Sequence, residues 1–268
     1  MSKASGLSGV KRISTGITGL DALLEGGFLS GRSYLVTGDA GTGKTTTCMQ
    51  FLMAGLQKGE RAVYVTVDER PVELLQSAGS LDWDLQSYVQ EKSLVILDAS
   101  PYFSGRATMI GEKAIELPRF ITDLADYANK LSATHLAIDP VTPLILSADS
   151  SSQVQENART LIHLLQSHLT TTNLLTSHLP AQANQSSTQG IEEFLAAGVI
   201  VLRVDQSNDG LVRSLGVKKM RGTAVNPCEY PFNIVKGKGI VLLSSDKKPI
   251  VVQDVHLQGL EFFELPKE

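Results

Sequence analysis

The chain has 268 residues, of which 42% are hydrophobic and 19% charged, and its formal net charge is −4. This length and composition suffice to bury one large core, which excludes a disordered or fibrous protein and favours one elaborated domain. The small negative charge excludes a general attraction to nucleic acid or acidic lipid.

The cysteines and the amino terminus indicate a cellular compartment. Cys48 and Cys228 form no C-x-x-C pair, so we expect two free thiols, a reducing environment and a cytoplasmic protein. Residues 1–12 lack the apolar core of a signal peptide, and no apolar run is long enough to span a bilayer. We therefore expect no association with membranes.

The first strong signal along the chain is a glycine-rich loop between a strand and a helix. A turn-rich segment with a short helix near Asp21 to Leu24 leads to an apolar strand, Ser33 to Thr37, and a helix is predicted from Thr45 to Lys58. Between them, residues 38–45 match the phosphate-binding pattern G-x-x-x-x-G-K-[ST] without a mismatch. The sequence thus predicts a P-loop.

Each part of this loop has a predicted task. Glycine allows the backbone N–H groups to converge on phosphate oxygens, Lys44 would contact the β and γ phosphates, and Thr45 would offer its hydroxyl to Mg²⁺. The predicted nucleotide-binding residues of the loop are Gly38, Asp39, Ala40, Gly41, Thr42, Gly43, Lys44, Thr45 and Thr46. ATP and Mg²⁺ are therefore the expected ligands.

Strands and helices alternate through the middle of the chain and change to strands near its end. Strands are predicted at 61–67, 93–97, 135–138 and 173–176, and helices at 71–78, 117–131 and about 150–167. Strands at 197–204 and 211–219 are joined by Asn208-Asp-Gly210, a hairpin signal, and two more follow at 230–235 and 239–243. This order predicts an α/β fold with a mostly parallel twisted sheet, helices on both faces and an antiparallel C-terminal hairpin region.

Titratable residues end several of the parallel strands, where ligands of such sheets bind. Asp139 has the form of a Walker B acid that would hold Mg²⁺ together with Thr45, and Glu69 would polarise the attacking water with Asp68 as a helper. His178 could sense the γ-phosphate or simply be hydrogen-bonded at the sheet edge. Lys219 and Arg221 alternate on a later strand and share a face, either as a charged rim or as part of the site.

Several motifs resemble KaiC, a family of RecA-like ATPases from the cyanobacterial clock. The resembling segments are 13–21, the P-loop, 67–71, 80–85, 97–101, 138–142, 192–194, 220–223 and 229–232. The resemblance implies a RecA-like P-loop fold and a hexameric ring with ATP between neighbouring subunits. It also implies that Ser80, Lys219, Met220, Arg221 and Thr223 contact nucleotide, with Lys219 and Arg221 reaching the γ-phosphate of the next subunit, and that Asp68 and Glu69 replace a pair of catalytic glutamates.

Departures from the family refine this expectation. Asp68 is one methylene shorter than the family's first glutamate, Val225 replaces a histidine that touches nucleotide, and Glu193-Phe194 replaces a Ser-Thr pair of the autokinase half of KaiC. The resemblance covers about residues 13–243, which predicts an N-terminal segment 1–12, an ATPase domain 13–243 and a tail 244–268. The chain is therefore expected to resemble the ATPase half.

Four functions remain open at this stage. The first is a ring-forming ATPase that acts as a slow switch or timer for signalling or clock-type protein partners, and the second is a Ser/Thr autokinase, for which the loop 186–188 would be the nearby acceptor. The third is a DNA-recombination ATPase, which is disfavoured because residues 170–202 contain no Lys or Arg. The fourth is a nucleotide switch without catalysis.

Overall fold

A nine-stranded sheet forms the centre of the protein in the computed structural model, which describes residues 11–100, 117–145, 151–178, 196–207, 210–225, 228–244 and 250. The strands are β1 (Arg12–Ile13), β2 (Phe28–Leu29), β3 (Ser33–Gly38), β4 (Ala62–Thr66), β5 (Leu94–Asp98), β6 (His135–Asp139), β7 (Thr172–His178), β8 (Gly198–Ser207), β9 (Gly210–Met220), β10 (Glu229–Val235) and β11 (Gly239–Leu242). The helices are α1 (Thr18–Leu23), α2 (Lys44–Leu56), α3 (Pro71–Ser80), α4 (Leu85–Gln90), α5 (Leu117–Leu131), α6 (Thr142–Ile145) and α7 (Ser151–His168).

The sheet is parallel on one side and antiparallel on the other. Its order is β11-β10-β9-β8-β3-β7-β6-β4-β5, and the six strands from β8 to β5 run parallel. The strands β8, β9, β10 and β11 pair antiparallel in sequence order, with Ser207 opposite Gly210 in the β8–β9 hairpin. β1 and β2 form a separate two-stranded sheet. The predicted α/β architecture is confirmed.

Alternate residues of the parallel strands face two separate helical layers. Tyr34, Val36 and Tyr64 pack in the core that contains α1 to α4, whereas Leu35 and Val63 pack in the core that contains α5 and α7. A sheet that is covered on both faces needs apolar side chains at successive positions, and β3 and β4 are buried at every residue. Packing on both faces thus holds β3 and β4 and positions their carboxyl ends.

The predicted elements agree with the structure within a few residues. The helix α5 has the predicted limits, and α2 buries Cys48, Met49 and Met53 as expected for core residues. Cys48 and Cys228 are free thiols. The structure adds β1, β2, α4 and α6, which were not predicted. Among the described residues, no helix is both long and apolar enough to cross a membrane.

Several sequence-based expectations fall on residues outside this description. They concern 1–10, most of the loop 99–116, the helix cap at Ser150, the loop 181–190, Glu193-Phe194, the turn residues 208–209 and most of the tail. Two residues in the predicted flanking segments do contact the domain. Arg12 of β1 bonds Thr223 at 3.0 Å, and the Ile250 N–H donates to Leu242 O at 2.9 Å. The predicted domain boundaries stay a prediction.

A buried histidine at the start of β6 is expected to make the stability of the fold depend on pH. His135 is 2% exposed, lies beside the ring of Phe51 and approaches Glu60 at 3.2 Å. Burial disfavours the imidazolium and lowers the pKa of His135 to about 4, although the charge of Glu60 opposes the shift. In the unfolded chain the same ring would protonate near its ordinary pKa.

We expect the His135 environment to contribute stability above pH 6.5 that is lost as the pH falls towards 4. The unfolded chain binds the proton first, so the free energy of unfolding should fall by up to about 3 kcal/mol across this interval. Denaturant unfolding at a series of pH values would measure it. His135→Gln should be less stable at pH 7.5 but show a shallower loss between pH 6.5 and 4.5; an unchanged slope would contradict the prediction.

Candidate functional site

A cavity of about 360 Å³ lies at the carboxyl ends of the parallel strands, where the sequence predicts a ligand site. The P-loop and the ends of β4, β6 and β7 contribute most of its walls. It is lined by Ala40, Gly41, Gly43, Lys44, Thr45, Thr46, Tyr64, Thr66, Asp68, Glu69, Asp139, Pro140, His178 and Ile234. The structure thus brings the strand-end acids named above together with six of the nine predicted loop residues, and the other three, Gly38, Asp39 and Thr42, do not line the cavity.

The P-loop has the backbone that its glycines predict. Gly41 and Gly43 adopt left-handed conformations, with φ of 77° and 106°, and Gly43 is the N-cap of α2. A β-carbon at Gly38 would lie 2.6 Å from Leu202 O, so a side chain has no room there. Because the amino end of α2, at Gly43 and Lys44, lines the cavity, the positive end of the helix dipole lies there, as in binding sites for anions.

Lys44, the first residue of α2, is buried against the P-loop. Its Nζ donates to the carbonyl oxygens of Gly38 and Asp39, each at 2.8 Å, and the residue is 7% exposed. Burial lowers the pKa of Lys44, while the nearby charges of Asp139 and Asp39 oppose that shift. In these two hydrogen bonds the ammonium group is bonded to carbonyl oxygens and not to a carboxylate. Lys44 also lines the cavity.

Three hydroxyl groups from three elements hold the carboxylate of Asp139. Thr45 of α2 and Tyr64 of β4 each donate to Oδ2 at 2.7 Å, and Thr176 of β7 donates to Oδ1. Burial and the charge of Asp139 raise the pKa of Tyr64 well above its usual value, so the phenol is a donor. The carboxylate is fixed beside the Thr45 hydroxyl, as a Walker B acid would require.

The turn after β4 carries the other two acids to the cavity. The Thr66 hydroxyl donates to Glu69 O at 2.6 Å, and α3 begins directly afterwards with Arg70 as its N-cap. Desolvation in the cleft raises the pKa of Glu69, and the charges of Asp139, Glu73 and Asp68 raise it further. Negative charge thus accumulates at the cavity.

The donor set fits Mg²⁺ held with a nucleotide better than a metal held by protein alone. In the part of the chain that the structure describes, no three His, Cys, Asp or Glu residues form a metal cluster. Mg²⁺ prefers oxygen ligands, and it binds through one or two protein groups together with phosphates and water. The Asp139 carboxylate and the Thr45 hydroxyl, 2.7 Å apart at the cavity, are suitable ligands.

The residues predicted to reach the γ-phosphate lie away from this cavity. Lys219 pairs with Val199 of β8, which pairs with Leu35 of β3, and the Arg221 N–H donates to Ala197 O beyond that pair. Both therefore lie near the amino ends of the parallel strands, about 10 to 16 Å along the strand direction from Gly38. Met220 pairs with Gly198 at the same end of the strands, and Thr223 lies beyond β9, where its hydroxyl accepts from Arg12 at 3.0 Å.

Two further predicted residues have separate positions. Ser80 ends α3, is exposed and donates to Ser77 O at 2.7 Å, and it does not line the cavity. His178 does line the cavity from the end of β7, and its backbone N–H donates to the Thr142 hydroxyl at 3.3 Å. In the register it lies opposite Gly38, the first residue of the P-loop.

Comparison with known proteins assigns a family to this arrangement. A family model described as the KaiC ATPase matches residues 13–247. The chain belongs to the KaiC family of ATPases. The circadian clock protein KaiC3 of Synechocystis sp. is 32% identical over 235 residues, which are 88% of this chain and 46% of that protein. The chain spans about half the length of such KaiC relatives.

Two further proteins match this chain over most of their own length. The UPF0273 protein MK0039 of Methanopyrus kandleri is 34% identical over 84% of this chain and 89% of that protein. The crystal structure of the KaiC-like protein PH0186 from Pyrococcus horikoshii OT3 has a TM-score of 0.74 and 33% identity, covering 88% of this chain and 100% of that chain. These similarities confirm the predicted KaiC-like, RecA-like fold.

Sequence reasoning missed the inner residues of this KaiC-family cavity. Tyr64 and Thr176 bond Asp139, and Ile234 covers the P-loop near Gly43, yet none was predicted to belong to the site. A register shift in β8 and β9 also passed unnoticed: Val199 pairs with Lys219 but Ile200 pairs with Val217, so Lys218 is an extra residue. The sequence carried no clear signal for these residues, because Tyr64 is the middle residue of β4 and Thr176 is one of several polar residues of β7.

Proposed function

We propose that this KaiC-family protein is a Mg²⁺-dependent ATPase that hydrolyses ATP between the subunits of a ring, as a slow switch or timer for protein partners. One observation carries the proposal. Lys44, Thr45, Asp139 and Glu69 line the cavity at the carboxyl ends of the parallel strands, whereas Lys219 and Arg221 lie near the amino ends of the same sheet. A second copy of the chain would bring its Lys219 and Arg221 to the cavity of the first copy.

In the proposed site, the P-loop binds the phosphates and Lys44 exchanges its carbonyl partners for phosphate oxygens. This exchange is favourable because a charged acceptor bonds the ammonium group more strongly than a carbonyl does. Thr45 and Asp139 would hold Mg²⁺, which neutralises the charge that develops on the phosphates when it is bound. The hydroxyl of Thr45 would then turn from Asp139 to the metal.

Glu69 is the proposed group that orients and polarises the attacking water. It lines the cavity, and its raised pKa gives the carboxylate a stronger affinity for a proton than that of an ordinary surface glutamate. Asp68 lies beside it and keeps negative charge close. Lys219 and Arg221 of a neighbouring subunit would supply positive charge to the γ-phosphate, as arginine fingers do in other NTPases.

The proposed role as a switch or timer for protein partners rests on similarity to known proteins. Several relatives carry names of circadian clock proteins, which supports a role in signalling between proteins for this chain. The described residues include no apolar membrane helix, and the stretch 170–202 lacks Lys and Arg. A protein partner is therefore proposed in preference to DNA or a membrane.

The proposal predicts that Lys44→Ala weakens ATP binding about 10-fold to 100-fold and lowers phosphate release to background. The lost contacts are charge-assisted hydrogen bonds, each worth about 1.5 to 3 kcal/mol. ATP labelled on the γ-phosphate would be followed both as free phosphate and as label on the chain. The matched control is Lys58→Ala, which removes an exposed lysine just beyond the end of α2.

We expect the unsubstituted chain to release phosphate in Mg-ATP without becoming labelled. Absence of release, or full release by Lys44→Ala, would contradict the proposal. Stable label on the chain would favour the autokinase, and mapping of that label would identify the acceptor.

A further inference from the structure

We infer that Tyr64 is a positioning residue of the metal site, whose phenol holds the Asp139 carboxylate in place when Thr45 leaves it for the metal. The inference rests on the proposed function, because it concerns the Mg²⁺ that Asp139 and Thr45 would bind. It adds a residue that neither the P-loop pattern nor the strand-end acids indicate.

The position of Tyr64 gives it access to both the core and the cavity. It lies on β4 opposite Ala137 of β6, two register positions before the pair formed by Thr66 and Asp139. The residue is 1% exposed, yet it belongs to the cavity wall and its hydroxyl reaches Asp139 Oδ2 at 2.7 Å. The ring is thus fixed by packing while its hydroxyl serves the site.

The distribution of bonds on Asp139 suggests why this hydroxyl is needed. Oδ2 accepts from Thr45 and Tyr64, and Oδ1 accepts from Thr176. If the Thr45 hydroxyl held a metal, Oδ2 would lose one of its two hydrogen bonds. With Tyr64 and Thr176 in place, each carboxylate oxygen keeps one donor and the carboxylate keeps its orientation towards the metal.

A second buried tyrosine distinguishes this role from simple packing. Tyr34 lies on the same side of the sheet and is also fully buried, but its hydroxyl bonds the backbone N–H and C=O of Leu29 at 2.8 and 3.1 Å. That arrangement satisfies a buried phenol without any ligand group. Tyr64 instead bonds the carboxylate at the cavity, so loss of its hydroxyl should affect the site.

We expect Tyr64→Phe to weaken metal binding about 10-fold, because loss of a hydrogen bond to a ligating group commonly costs about 10-fold to 100-fold in metal affinity. The half-saturating Mg²⁺ concentration for phosphate release should rise by the same factor, and turnover at saturating Mg²⁺ should fall by less than the metal affinity does. Binding of ATP in EDTA should not change, since Tyr64 has no part in the P-loop.

The direct test is Mn²⁺ binding to the protein in the presence of ADP, followed by electron paramagnetic resonance of free Mn²⁺. Tyr34→Phe is the matched control: it removes a buried phenol hydroxyl, so it should lower the midpoint of thermal unfolding and leave Mn²⁺ affinity unchanged. Thr176→Val, which removes the bond to Oδ1, should weaken Mn²⁺ binding in the same direction as Tyr64→Phe.

The outcomes separate this inference from the proposed function. Weaker Mn²⁺ binding by Tyr64→Phe but not by Tyr34→Phe would support it. Equal affinity of Tyr64→Phe and the unsubstituted chain, or an equal loss in both tyrosine variants, would overturn it while leaving the ATPase proposal intact. Absence of ADP-dependent Mn²⁺ binding by the unsubstituted chain would contradict the metal site itself.

Discussion

Replacement of Arg221 by alanine is expected to lower ATP turnover about 1,000-fold or more, while the variant still binds ATP in its own cavity. An arginine that stabilises the transferring phosphoryl group is worth about 10³ to 10⁵ in rate. Arg221 lies near the amino ends of the parallel strands, whereas the P-loop of its own chain lies at their carboxyl ends. If the site is shared between subunits as proposed, its loss should affect chemistry in a neighbouring subunit and spare nucleotide binding within the chain.

Phosphate release and equilibrium binding of a fluorescent ATP analogue would measure the two effects separately. Arg159→Ala is a suitable control, because it removes an exposed guanidinium from α7, outside both the cavity and β9. Light scattering in Mg-ATP would verify that the Arg221 variant keeps its assembly state. Turnover by Arg221→Ala equal to that of the control would remove the main argument for a shared site.

Replacement of Glu69 by glutamine is expected to lower turnover about 100-fold or more with little change in ATP binding. The amide keeps the size of the side chain but cannot accept a proton from water, and general-base catalysis contributes about 10² to 10⁴. The raised pKa of Glu69 also requires an assay pH well above the carboxylate range, so that the unsubstituted enzyme is compared in its ionised form. Single-turnover phosphate release would isolate this step.

Asp68→Asn provides the internal comparison for the Glu69 variant. Asp68 also lines the cavity but has the shorter side chain, so we expect a loss of only about 10-fold. A larger loss from Asp68→Asn than from Glu69→Gln would exchange their roles. Unchanged turnover in Glu69→Gln would instead show that this carboxylate has no catalytic task, and background turnover in both chains would support the nucleotide switch.

The parts of this fold that depend on local pattern were predictable from the sequence. Apolar runs such as those around Leu35 and Val63 identify strands buried on both faces, and the P-loop pattern identifies both the loop and the start of α2. The strong amphipathic pattern of α5 even set its limits at Leu117 and Leu131. These signals lie within short windows of sequence.

Other elements were missed because their signals are short or tertiary. The helix α4 has six residues and depends on Asp84, whose carboxylate accepts from the Ser87 N–H and hydroxyl. That cap was visible in the sequence, but the helix is too short for a clear period. The two-residue strands β1 and β2 leave almost no pattern at all, since their pairing depends on the chain returning at Phe28.

The residues of the site likewise fall into two groups, those that the sequence predicts and those that only the structure reveals. Motif and strand-end position were enough to bring Lys44, Asp139 and Glu69 to one cavity, because parallel strands share one carboxyl edge. In the sequence, Tyr64 and Thr176 look like ordinary strand residues, because their contact with Asp139 depends on which strands are neighbours in the sheet. Sheet order carries that information, and spacing along the chain does not.

The most direct test of hydrolysis between subunits is to mix by co-expression two variants that are each expected to have little activity, Glu69→Gln and Arg221→Ala. A shared site would be complete wherever an intact cavity of the Arg221 variant meets an intact Arg221 of the Glu69 variant. With random assembly this should restore about one quarter of the activity per site. A mixture of Glu69→Gln with Lys44→Ala is the control, since both substitutions damage the same cavity, and it should stay inactive. Failure of the first mixture to recover activity, with both variants present in one oligomer, would contradict a site built from two subunits.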